Sequence, residues 1–202
     1  MTLPIVRRTL LAAAAVLPFG PAAFAQSDAR PRVLISTDHG DILAALEATK
    51  APITCANFLR YVDAARYDGS RFYRAVQAPG APTVGLIEAG IQDQAKLYPP
   101  IAHESTTLTG LHHGDGALSM ARFAPGAATS DFSICSGDAV YLDANPAAPG
   151  DNVGYAAFGQ VLQGMDIVRA ILALPTGSSP DAPAMQGQIL IPPVRIVSIR
   201  RV

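Results

Sequence analysis

The sequence has no tryptophan, two cysteines and few charges: only 15% of its 202 residues are Asp, Glu, Lys or Arg. Each scarcity excludes something. Fifteen basic residues against sixteen acidic ones leave a formal net charge of −1, without the basic excess of a nucleic-acid binder. No run of like charge marks a polyanionic or polycationic partner. Beyond the N-terminus, no apolar segment approaches the roughly 20 residues that a spanning helix needs. No internal repeat, Gly-x-Ser-x-Gly elbow or His-x-x-x-His helix is present. Cys55 and Cys135 allow at most one bridge. It would require Cα atoms within about 7 Å, and two buried thiols are the alternative.

Half of the residues are hydrophobic, enough for a full core in one domain. The first 25 residues read as a signal peptide. Arg7 and Arg8 are the positive region, Leu10 to Pro18 the apolar region, and Ala23-Phe24-Ala25 a small-x-small cleavage site. The adjacent arginines fit twin-arginine export, and the Sec route fits equally. Residues 26–202 are then expected as one periplasmic or secreted domain, a monomer with no membrane contact after cleavage.

Residues 32–37 read as a strand, Asp38-His39-Gly40-Asp41 as a turn, and Ile42 to Leu46 as the returning strand. Pro52 opens a helix in which Ala56, Phe58, Leu59, Tyr61 and Val62 recur at helical spacing, ending before Tyr67-Asp68-Gly69. Further strands are expected at 71–76, 86–90, 117–121, 131–135, 156–161 and from Ile189 onward. A second helix is expected from Ile167 to Leu174. Residues 77–84, rich in Pro, Gly and Ala, read as a loop, 93–109 as irregular, and 176–187 as a flexible loop. About eight short strands with two distant helices exclude an alternating βαβ sheet and favour a closed barrel.

Several segments, in order along the chain, resemble the cyclophilin family of peptidyl-prolyl isomerases. They are Ala51-Pro52-Ile53-Thr54-Cys55-Ala56-Asn57-Phe58-Leu59, Phe72-Tyr73-Arg74, Pro99-Pro100-Ile101 with Glu104, and Gly116-Ala117-Leu118-Ser119-Met120-Ala121-Arg122. Thr129-Ser130-Asp131-Phe132-Ser133-Ile134, Leu142-Asp143 and the run from Ala157-Phe158-Gly159-Gln160 to Val168 follow. The resemblance implies a mainly β fold, an eight-stranded antiparallel closed barrel capped by two α-helices, and proline-containing polypeptides as partners. Arg74 matches the family's essential arginine. By the same resemblance Phe72, Leu86, Glu88, Ala121, Arg122, Asp131, Ser133, Leu142 and Tyr155 are the expected substrate-binding residues.

The implied chemistry needs no metal or cofactor. Amide resonance sets a barrier of about 18–20 kcal/mol to rotation. A donor aimed at the prolyl nitrogen withdraws the lone pair that sustains this resonance. A guanidinium suits the task because it is always charged and holds its donors in a rigid fork.

This sequence departs from the family around that arginine. Tyr73 stands where a histidine is usual. An insertion of roughly half a dozen residues follows, after which Gly85 replaces a pocket phenylalanine, Leu86 a methionine and Glu88 a glutamine. Ser133 replaces a second phenylalanine. Tyr141 stands where some members carry tryptophan, and Tyr155 where many carry histidine. Each lost phenylalanine removes a side chain able to bury about 150–250 Å². A wider or reshaped ring site, an Arg74–Glu88 ion pair and weak or altered activity are therefore expected. Two other readings compete: a barrel that binds proline segments or acts as a chaperone without catalysis, and a metal site from His103, His112, His113 and Asp115. A hydrolase has less support, because Ser119 and Ser133 fall in strands and Cys135 reads as core.

Overall fold

The computed structural model describes residues 30–202, so the expected signal peptide lies outside the described residues. The strands are β1 (Arg32–Thr37), β2 (Gly40–Leu46), β3 (Arg71–Ala78), β4 (Ala81–Gly90), β5 (Ala117–Met120), β6 (Phe132–Ser136), β7 (Ala156–Gln163), β8 (Thr176–Gly177) and β9 (Ile189–Arg201). Eight of them close a barrel in the order β1-β2-β7-β5-β6-β4-β3-β9, with β9 returning to β1; β8 is a two-residue addition to β9. Neighbours are antiparallel around the ring. Closure removes the unpaired edges that short strands would otherwise expose.

Helices α1 (Pro52–Asp63) and α3 (Met165–Leu172) are the two expected, and a one-turn α2 (Thr106–Thr109) adds a third. Helix α1 has Pro52 at its start and no cap from Ala51. Its first amides are satisfied from far along the chain. Glu104 accepts from the backbone N–H of Ile53 (3.1 Å) and Thr54 (2.7 Å), and from the Thr54 hydroxyl (2.7 Å). A buried carboxylate here satisfies orphan donors and complements the helix dipole. Phe58 of α1 meets Tyr67, Phe132 and Phe158 at ring-centroid distances of 5.2–5.3 Å, which anchors the helix on an aromatic core.

The segment 77–84 is not a loop. Strand β3 runs on to Ala78 and β4 begins at Ala81, with Ala78 opposite Ala81. Pro79-Gly80 makes the turn, and Gly80 takes the positive φ (+74°) that glycine tolerates. The insertion is therefore absorbed as a longer hairpin, with the Gln77 side chain bonded to the Leu172 carbonyl at the end of α3 (2.9 Å). The segment 176–187 likewise contains β8 and a 3₁₀ turn, Pro183–Met185. The two cysteines are free and buried, and burial pushes both thiols up to about 12.

Candidate active site

A β-bulge on β3 builds the centre of the site. Phe72 pairs with Ala89 of β4 and Arg74 with Glu88, so Tyr73 and Arg74 together face a single residue of the partner strand. In an unbroken strand, Phe72 and Arg74 would share a face. The bulge breaks that alternation. Phe72 is fully buried against Phe132, whereas Tyr73 and Arg74 both line a cavity outside the barrel core. Phe72 is thus a core residue, which corrects its placement at the substrate site.

The register continues the site across the sheet. Arg74 lies opposite Glu88 on β4, Glu88 opposite Ser133 on β6, and Ser133 opposite Ser119 on β5. These four residues form one cross-strand row facing a cavity of about 530 Å³. That volume is within the range of small-ligand sites. Val76, Leu86, Leu142 and Tyr155 supply an apolar wall beside the row. Ala121, Arg122 and Asp131 line the cavity as well.

Arg74 is held on both sides. One Nη donates to Glu88 Oε2 (2.8 Å), while Nε and the other Nη donate to Gln188 Oε1 (2.8 and 2.6 Å). Its side chain is 24% exposed and that of Glu88 8%, so the ion pair is largely shielded from water. A guanidinium has five N–H donors. Three are engaged here, leaving two uncommitted. Arg122 is anchored differently, by Asp151 (2.8 and 3.0 Å) and the Gly154 carbonyl, with its guanidinium 5.1 Å from the centre of the Tyr155 ring.

The Tyr73 hydroxyl lies 2.7 Å from Glu88 Oε1 and 2.9 Å from Asp131 Oδ2. One hydroxyl hydrogen cannot serve two carboxylates. The two carboxylates therefore compete for the one Tyr73 hydrogen. Burial raises the Asp131 carboxyl above its ordinary range, with the Glu88 charge adding to the rise and the hydrogen bonds from Tyr73 and Ser130 opposing it. Burial also raises Tyr73, followed by the charges of Glu88 and Asp131. Asp131 fits only because Gly90 lies beside it: a Cβ there would sit 1.9 Å from Asp131 Oδ1.

Leu86, Glu88, Ala121, Arg122, Asp131, Ser133, Leu142 and Tyr155 come together with Arg74 around one cavity. Sequence reasoning missed Tyr73 as a lining residue, because simple alternation turns it away. It also missed Gln188, which reaches Arg74 from 114 residues along the chain with no local signal. Gly85 contributes no open wall, since a Cβ there would strike the Val76 carbonyl oxygen at 1.9 Å. None of residues 77–84 lines the cavity; Ala184 and Met185, from the segment before β9, do. The residues of the metal reading are dispersed. His103 faces the Val153 carbonyl, Asp115 pairs with Arg169, and His112 and His113 both bond Asp143. Among the described residues, no group of three His, Cys, Asp or Glu side chains is placed to hold a metal.

Comparison with known proteins agrees with this geometry. Residues 32–200 match the family model for cyclophilin-type peptidyl-prolyl cis-trans isomerase. Peptidyl-prolyl cis-trans isomerase A of Dickeya dadantii is 34% identical over 174 residues, 84% of this chain and 86% of that protein. The peptidyl-prolyl cis-trans isomerase of Acinetobacter baylyi is 33% identical over 176 residues, 85% of this chain and 86% of its own. A Cryptosporidium parvum cyclophilin-type isomerase, solved in the presence of the dipeptide Ala-Pro, has the same fold. It superposes with a TM-score of 0.64 at 20% identity, over 84% of this chain and 97% of that one. A barrel with this strand order, an arginine bonded on the rim of its outer cavity and these relatives lead to one assignment: the chain belongs to the cyclophilin-type peptidyl-prolyl cis-trans isomerases.

Proposed function

We propose that this isomerase turns X-Pro bonds of exported proteins, in the periplasm or outside the cell, as a monomer carrying Arg74 as its catalytic group. The observation that carries this reading is the held guanidinium. Glu88 and Gln188 restrict its motion while two N–H donors remain for substrate. The apolar wall of Val76, Leu86 and Leu142 lies in the same cavity and suits a pyrrolidine ring. With the ring seated, an Arg74 N–H directed at the prolyl nitrogen weakens the C–N double-bond character, and the carbonyl side rotates. A 10⁵-fold acceleration requires only about 7 kcal/mol. A preorganised charged donor in a partly shielded site supplies a large part of that. Glu88 works in both directions: it orients the fork and withdraws some of its charge. Activity below that of a site with a neutral partner follows.

The test is a proline-peptide isomerisation assay on the mature protein. Arg74→Ala should lower kcat/KM by about a hundredfold or more, the usual cost of removing one transition-state donor. Arg74→Lys should recover little, because an ammonium cannot reproduce the fork. Equal rates for wild type and Arg74→Ala would remove the catalytic role. A second reading, a binding module or chaperone without catalysis, draws support from Ser133, which leaves the cavity without a phenylalanine wall at that point. Peptide binding with no rate enhancement in the wild type would establish it.

A further inference from the structure

A second chemical group opens into the same cavity. Asp143 follows the 3₁₀ turn Val140–Leu142, His113 precedes β5, and Ser119 lies within β5. Asp143 Oδ1 lies 2.6 Å from His113 Nδ1, and His113 Nε2 lies 2.8 Å from Ser119 Oγ. Asp143 is itself fixed by the His113 backbone N–H (3.0 Å) and by His112 Nδ1 (2.9 Å).

The hydrogen-bond network determines the direction of this chain. A carboxylate only accepts, so His113 carries its proton on Nδ1 and donates it to Asp143. Nε2 is then the acceptor, and the Ser119 hydroxyl donates to it. The serine hydrogen points to His113, and Ser119 lines the cavity while only 3% exposed. The His113 side chain is fully buried. That burial lowers its pKa against the opposing pull of Asp143, which favours the neutral base. The residue directly across from Ser119 is Ser133, so no bulky side chain covers the hydroxyl from β6.

We propose that Ser119 is a nucleophile that takes acyl groups from carboxylic esters small enough to enter the cavity. Ser119 Oγ bonds to the ester carbonyl carbon while its proton passes to His113 Nε2. The C–O bond to the alcohol then breaks, and the alcohol leaves with that proton. Water adds to the acyl-serine, giving a proton to His113. The carboxylic acid departs as Ser119 recovers its hydrogen. Ester and water become acid and alcohol, and Asp143 stabilises the imidazolium that forms at each stage. Ser119 has no Gly-x-Ser-x-Gly elbow, so positive charge for the oxyanion comes from side chains. Arg74 lies three strands from Ser119 along the same row, so it contributes a positive field across the cavity and not a direct hydrogen bond.

The experiment treats the mature protein with a fluorophosphonate probe and, separately, with p-nitrophenyl acetate, then maps adducts by peptide mass spectrometry. Ser119 should be the labelled residue. Ser119→Ala should abolish labelling, and Asp143→Asn should slow it by at least about a hundredfold, because the amide reverses the histidine tautomer. Ser133→Phe should slow it by covering Ser119 with the three residues intact. A further variant, Ser119→Cys, guards against a folding defect: its thiol should alkylate with iodoacetamide at pH values where an ordinary thiol is unreactive. Absence of labelling in the wild type, labelling undiminished in Ser119→Ala, or an ordinary pH dependence for the Ser119→Cys thiol would overturn the proposal. These readouts are independent of proline isomerisation.

Discussion

Strands β3, β4, β6 and β5 carry opposite materials on their two faces. The inward rows are Phe72, Ala89, Phe132 and Met120, then Ala75, Ile87, Ile134 and Leu118, all buried and apolar. The row between them faces outward and reads Arg74, Glu88, Ser133 and Ser119, every member polar. Phe132 and Ser133 are neighbours in sequence yet belong to different worlds, one in an aromatic cluster and the other on a cavity floor. In this barrel the interior rows form the core and the outer row lines the cavity. A substitution on one face should leave the other largely intact.

The largest test of that separation is Phe132→Ala. It should cost about 3–5 kcal/mol in urea unfolding, the usual loss for a buried phenylalanine. The folded fraction should keep its kcat/KM for a proline peptide within about twofold. A large loss of activity without a loss of stability would show that the two faces are coupled. Ser133→Phe probes the other face with a smaller effect. Restoring an aromatic wall should lower KM for a proline peptide by about tenfold, the equivalent of about 1.4 kcal/mol, with little change in the unfolding midpoint. A loss of activity would mean that the reshaped cavity has other ring contacts.

The smallest effect concerns the raised carboxyl of Asp131. Because burial raises this carboxyl, the folded protein holds its proton more tightly than the unfolded chain. Stability attributable to Asp131 is therefore present at low pH and lost as pH rises from the ordinary aspartate value through the raised one. Asp131→Asn should remove that decline. Asp63 and Asp68 have the opposite sign, since their arginine partners lower them, but both are common to the two proteins and cancel in the difference. Urea midpoints measured across acidic pH should diverge in favour of the variant and then run parallel. Divergence in favour of the wild type would show that folding does not raise this carboxyl.

Much of the fold was legible because its signals are local. Pro52 with helically spaced apolar residues marks α1, strand alternation marks β1, and short apolar runs mark β6 and β7. The insertion was misread because Pro79-Gly80 signals a turn without stating whether the flanking chain is paired. At the site, ordered motifs brought Arg74 and most cavity residues together. They did not reveal the bulge that removes Phe72 and admits Tyr73, since a bulge is a difference in count between two strands and is invisible within either one. Nor did they link Gln188 to Arg74 or Asp143 to His113, contacts made by segments far apart in the chain.

By itself, the sequence determined a mainly β closed barrel, a family and the arginine that matches its motif, because alternation, helix starts and ordered motifs are written in neighbouring residues. Only the tertiary structure decided which residues share the cavity floor. That depends on the register between strands, where one extra residue on β3 turns Arg74 and Tyr73 outward together. It also depends on hydrogen bonds from distant segments, which bring Asp131 and Glu88 onto one tyrosine hydroxyl and a serine beside a buried histidine.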